Sequence, residues 1–146
     1  VKRENEMALR VFLSDCIERQ VGPGGVIRRL QIDAAMQPAG ATRELASDLS
    51  SLAPFGSGNP EPRFVLPAVR IVKADVVGGN HVRCFVAGED GGRLKGICFR
   101  CVGEPHGNAL LHSNGLPLHL TGHIRLDRWQ GRENVQLIIE DVAQLS

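Results

Sequence analysis

The chain has 146 residues, enough for one ordinary domain or for one small domain plus part of another. Hydrophobic residues make up 42% and charged residues 23%, which excludes a disordered chain, and no apolar run approaches the ~20 residues of a transmembrane helix. With 17 basic and 16 acidic side chains the formal charge is +1, so bulk charge excludes no partner and any basic surface must come from arrangement.

The first residues run straight into a helical pattern. Met7, Ala8, Val11, Phe12 and Cys16 recur at helical spacing, as do Leu9, Leu13 and Ile17, and Gly22-Pro23-Gly24-Gly25 is expected to stop the helix. An alternating run follows, with Val26, Leu30 and Ile32 on one face and Arg29 on the other. A second helix, capped by Thr42, carries Leu45, Leu49 and Leu52 along one stripe and ends at Ala53-Pro54. Helix, strand, helix hides too little surface to stand alone. Residues 1–53 therefore read as the closing elements of an upstream domain, and the chain as a fragment. Three prolines and two glycines then make residues 54–66 a rigid junction, with Phe55 and Phe64 pinning its ends.

From Pro67 the period changes to two. Strands are expected over 68–77, 81–87 and 93–99, joined by Gly78-Gly79-Asn80 and by Gly88-Glu89-Asp90-Gly91-Gly92. The stretch 103–113 breaks the alternation, and its Asn108-Ala-Leu-Leu-His run suits a short helix. A fourth strand over 116–129 sets Leu118, Leu120, Ile124 and Leu126 against His119, Thr121, His123 and Arg125. The loop 130–133 leads to a fifth strand over 134–142. Three strands, a helical link and two strands is the order of an OB-fold, a partly open five-stranded barrel; an SH3-like barrel would lack the helical link. The fold class expected is mainly β with flanking helices: a five-stranded OB-fold barrel over 67–146, preceded by a helix-strand-helix segment.

OB-folds bind ligands on the face of their second and third strands, flanked by the loops after the first and fourth. Those positions carry Arg83 and Phe85, then Arg93, Lys95 and Phe99, then Arg128, Trp129 and Arg132. Cations follow phosphates while flat rings stack bases of any identity, so this set suits a single strand of nucleic acid. The same residues could instead be a solvated strand face with Phe85 and Phe99 in the core. A sugar would want more Asp and Asn than this face offers. Neither half of the chain is basic overall: residues 1–53 hold seven basic and seven acidic side chains, residues 54–146 ten and nine. Position, not total charge, suggests DNA.

Motifs for a zinc protease, a phosphate-binding loop or a nucleophilic serine do not occur, and the carboxylates are too dispersed for a two-metal nuclease centre. Cys98-Phe-Arg-Cys101 followed by His119-Leu-Thr-Gly-His123 has the order of a Cys2His2 site. Seventeen residues separate the pairs and the histidines lie in a β pattern, so no metal ligand is expected. Cys84 and Cys98 are expected to pack as small apolar groups, without disulfides.

The junction Leu52-Ala-Pro-Phe-Gly-Ser-Gly-Asn-Pro-Glu-Pro-Arg-Phe64 resembles the signature of the bacterial RecJ family of single-strand-specific DNA exonucleases. Trp129-Gln-Gly-Arg-Glu-Asn-Val-Gln-Leu-Ile-Ile-Glu-Asp141 is similar to the end of that family's OB domain, and Ile32-Asp33-Ala34 also fits. The resemblance implies an upstream DHH phosphoesterase core with a DHH-associated domain. That core would use Mn2+ or Mg2+ to hydrolyse single-stranded DNA from its 5′ end in recombination and repair. The family's DHH and Gly-Gly-His motifs do not occur in these residues, so this chain is expected to bind but not cut, and to hold no cofactor itself. Implied partners are single-stranded DNA, the upstream catalytic domains and the single-strand DNA-binding protein, with no membrane and a cytoplasmic location. The alternative is a scaffold barrel that clamps the catalytic domain and docks partner proteins.

Overall fold

In a computed structural model, residues 5–21 and 29–145 are described. The chain forms two compact units, residues 1–30 and residues 31–146. Within the first, α1 (Glu6–Val21) matches the expected helix, and its apolar Met7, Val11, Phe12 and Ile17 are exposed. The glycine turn 22–25 and Val26 lie outside the described residues. Among the described residues no helix is long and apolar enough to cross a membrane.

The second unit is built on five strands closed into a ring. They are β2 (Phe64–Val77), β3 (His81–Ala87), β4 (Arg93–Cys98), β5 (Leu118–Trp129) and β6 (Arg132–Gln144). Neighbours pair in the order β2-β3-β4-β6-β5, and β2 pairs with β5 to close the ring. Within the ring all ladders are antiparallel except β4 with β6. A helix, α3 (Pro105–Leu111), links β4 to β5. This is the OB arrangement, and alternation explains it: Leu66, Val69, Val82, Val86, Leu94, Leu120 and Leu137 point inward and form one core.

β2 serves two ladders because it bends. Its register shifts between Leu66 and Val69, where Ala68 takes a positive φ of 54°. Pro67 has no N–H to offer there, and the N–H of Ala68 is donated to Nδ1 of His119 at 3.1 Å. The hairpins are tighter than expected at one end. The β5–β6 loop is not four residues but Gln130-Gly131, both at positive φ, so Trp129 and Arg132 face each other as the last ladder pair.

Of the strand expected from the alternation of Val26, Leu30 and Ile32, the described residues 29–33 form no strand. The observed β1 is Ala34–Ala35, running parallel to the start of β2. Its place is set by its partner: Asp33 N–H donates to the Arg63 carbonyl and Met36 N–H to that of Val65. A local pattern cannot show where β2 begins. The second helix, α2 (Arg43–Ser51), is as expected, with Thr42 Oγ1 accepting from Leu45 N–H at 3.2 Å. It packs through buried Ala46 on the β5 side of the barrel.

Candidate nucleic-acid interface

On β3 and β4 the even positions are buried, so 83, 85, 93 and 95 project outward. Cross-strand register then sets which of them touch. Phe85 lies opposite Lys95 on β4 and opposite Lys73 on β2, so the aromatic ring has a lysine on each side. Arg83 lies opposite Asp75 and Ile97. Arg83, Phe85, Arg93 and Lys95, with Asn134 and Val135 of β6 and Ala41, line a shallow groove of about 550 Å3. Phe85 is 40% exposed, so the core alternative does not hold for it.

The other four expected residues divide. Trp129 is 69% exposed at the tip of the β5–β6 hairpin, facing Arg132. Strand alternation puts Trp129 on the same side as Asp127, and Arg132 on the same side as Asn134, which lines the groove. Asp127 in turn accepts from Lys95 Nζ at 2.8 Å, which ties β5 to the cations of β4. Arg128 falls on the opposite side. It pairs with Glu133 at 2.9 Å and lines a separate, more apolar cleft of about 340 Å3 with Leu49, Phe55 and Leu126. Phe99 is 51% exposed but sits in the turn after β4, edge-on to His81 with ring centroids 5.2 Å apart, and does not continue the β4 face.

Charge on the groove is more mixed than the sequence suggested. Asp75 and Asp127 stand among the cations. Asp75 lies 3.7 Å from both Arg83 and Lys73, and Asp127 holds Lys95. Four cations against two carboxylates still leave the face positive. Among the described residues Arg93 and Arg132 have no carboxylate within ion-pair distance. Lys73 was missed, although counting the register outward from the Gly78-Gly79-Asn80 turn would have set it beside Phe85.

The junction 52–64 is fastened to the barrel by charge. Asn59 Nδ2 donates to the carbonyls of Leu52 and Pro54, and Phe64 is buried at the head of β2. The Ala53-Pro54 peptide is cis. Arg125 of β5 makes two hydrogen bonds to the Glu61 carboxylate, at 2.8 and 2.6 Å. Arg63 Nε donates to Glu140 at 2.7 Å, while its backbone N–H donates to Asp33. His123 was expected on an outward face, but it is only 8% exposed. Its ring bonds the Pro62 carbonyl through Nδ1 and Glu140 through Nε2. A register shift between Thr121 and Gly122 breaks the clean alternation and turns the histidine under this loop.

Both carboxyls of this cluster are held below the ordinary value near 4.5. For Glu61 the Arg125 hydrogen bond dominates over burial. For Glu140 burial opposes ionisation, and the bonds from Arg63 and His123 outweigh it. Depressed carboxyl pKa values stabilise the fold above the unfolded value, and that contribution is lost as pH falls through the folded values. The denaturant midpoint is therefore expected to fall between pH 5 and pH 3 (about the range over which carboxyls titrate). A Glu61→Gln, Glu140→Gln double variant should show a flatter profile over the same range; an unchanged slope would exclude this cluster as the cause.

A family model described as the RecJ OB domain matches residues 32–141. The single-stranded-DNA-specific exonuclease RecJ of Bacillus subtilis is 24% identical over 148 aligned residues, covering 98% of this chain and 18% of that protein. Two crystal structures of RecJ from Thermus thermophilus, one with Mn2+ and one with Mg2+, superpose over the whole chain. Their TM-scores are 0.73 and 0.69 at 18% and 20% identity, and the match covers 20% and 21% of those chains. The chain thus spans about a fifth of the length of the relatives it matches.

Proposed function

Because the chain belongs to the family of RecJ OB domains, we propose that it is the single-stranded-DNA-binding module of a single-strand-specific DNA exonuclease acting in recombination and repair. The observation that carries this reading is the row Lys73–Phe85–Lys95, with Arg83 and Arg93 beside it in one groove. A base stacks on Phe85 while the flanking cations take the phosphates. Trp129 and Arg132 extend the path along the hairpin. Duplex DNA offers no free base face, so the groove discriminates by what must be unstacked before binding.

Cleavage belongs to upstream domains of the parent protein, together with the Mn2+ or Mg2+ it needs. The carboxylates at the groove do not fit such ions: Asp75 and Asp127 are held by Arg83, Lys73 and Lys95. Hard cations want several free oxygens at one point. In this reading the closing elements of the upstream domain lie within residues 1–53, of which 31–53 fold with the barrel.

Fluorescence anisotropy with labelled oligonucleotides tests the proposal. Expected is tighter binding of single than of double strands, weakening steeply with salt. Equal affinity for both, or no binding by a folded chain, would overturn it and favour the scaffold alternative.

A further inference from the structure

We propose that Cys98, Cys101 and His106 form a Zn2+ site that fastens α3 to the end of the barrel. Their donor atoms, two Sγ and one imidazole nitrogen, all lie within 4.8 Å of one another. His119 and His123, which follow the cysteines in sequence, are not available to them: Nδ1 of His119 is bound to the β2 bulge and His123 is tied to Glu140. The third ligand is a histidine five residues past the second cysteine.

Three pieces of local structure bring these donors together. Cys98 ends β4 with its side chain inward. The chain then turns through Arg100, which takes a positive φ of 52° and donates its N–H to Nδ1 of His81 at 2.9 Å. That turn brings Cys101 back, and its thiol donates to the Cys98 carbonyl at 3.2 Å. Pro105 opens α3, and Gly107 lies so close to the Cys101 carbonyl that a side chain there would overlap it. His106 is thereby fixed beside the thiols, and its ring takes no hydrogen bond from another described residue.

The chemistry suits zinc. Tetrahedral zinc with bonds of about 2.3 Å to sulfur and about 2.0 Å to nitrogen needs donors roughly 3.5–3.8 Å apart, so the three need close by no more than about 1 Å. Soft thiolates with an imidazole select Zn2+ over Mg2+ or Mn2+. On binding, each thiol gives its proton to solvent, and two thiolates cancel the charge of the ion. A buried site with no net charge avoids the cost of an unpaired ion. Both cysteines are buried and His106 is half-buried, which leaves the fourth position to water on the open side.

The test uses the whole chain, reduced, stripped with a chelator, loaded with Zn2+ and dialysed. Expected are about one retained zinc per chain by elemental analysis and, with Co2+ in its place, the intense visible bands of a tetrahedral thiolate site. Cys98→Ser and Cys101→Ser should each abolish retention. His106→Ala should weaken it at least as much as the roughly 10–100-fold typical of lost supporting partners. Cys16→Ser and His119→Ala should leave it unchanged. A second measurement covers variants that fail to fold: in the unmodified chain, at a denaturant concentration that exposes both thiols when zinc is absent, Zn2+ should protect Cys98 and Cys101, and not Cys16, from alkylation read by mass spectrometry. No retained zinc, zinc retained in folded Cys98→Ser, or equal alkylation of both cysteines with and without zinc would overturn the site.

Discussion

Replacing Gly122 by Ala is expected to destabilise the barrel by about 3 kcal/mol, the upper end of what overpacking costs. Gly122 sits at the register shift of β5, between the ladder to β2 and the ladder to β6. A Cβ built there overlaps the Ile138 carbonyl oxygen and lies 2.8 Å from its carbonyl carbon and 3.1 Å from Ile139 Cα. These are backbone atoms, so no rotamer change relieves the clash. Either β6 moves away from β5, or the bulge straightens and His123 rotates out from under the Pro62 carbonyl. Both disturb ladders that close the ring. Gly58→Ala is the control, because nothing lies within 4 Å of its added methyl and its φ is ordinary. A shift in denaturant midpoint for Gly122→Ala no larger than for Gly58→Ala would show that the strands yield easily.

Phe85→Ala and Arg93→Ala are expected to weaken binding of single strands in distinguishable ways. Removing the ring forfeits a stack worth ~1–3 kcal/mol, or roughly 5- to 150-fold in affinity, with the salt dependence unchanged. Removing Arg93, which has no carboxylate partner among the described residues, should lower the salt slope by about 0.7, the share of one phosphate on a single strand. Lys95 differs because its loss frees Asp127, which then repels the strand. Lys95→Ala should thus cost more affinity than Arg93→Ala, and adding Asp127→Ala should recover part of it. Titration by anisotropy at several salt concentrations measures all of these. Identical salt slopes for the unmodified chain and Arg93→Ala would place the phosphates elsewhere.

Much of the barrel was legible because its signals are local. Alternation in 81–87 and the glycine turns on either side of it bound β3 to the residue, and the break at 103–113 marked α3. Alternation grouped Arg83 with Phe85 and Arg93 with Lys95, while the exposure of Phe85 that makes this the outer face was left open by the sequence. What stayed hidden depends on partners far away in the chain. Register decides that Lys73 flanks Phe85, that Asp127 reaches Lys95, and that β1 begins beside Phe64. Bulges defeat alternation in both β2 and β5, and the second of these buries His123, whose carboxylate partner is 17 residues along the chain. Arg128 illustrates the cost of missing a face. One residue from Trp129, it points into a different cleft.

The ring of strands also has one short parallel seam. β4 meets β6 only over Lys95–Ile97 against Gln136–Ile138, in parallel, whereas β5 and β6 are zipped along their whole length. Parallel ladders are slightly weaker per residue, so this seam is where the closed ring parts most readily into an open sheet. The groove lies over it, with Lys95 on one bank and Asn134 and Val135 on the other. A polymer laid across both banks would act as a suture, and its grip would be felt as resistance of the domain to opening.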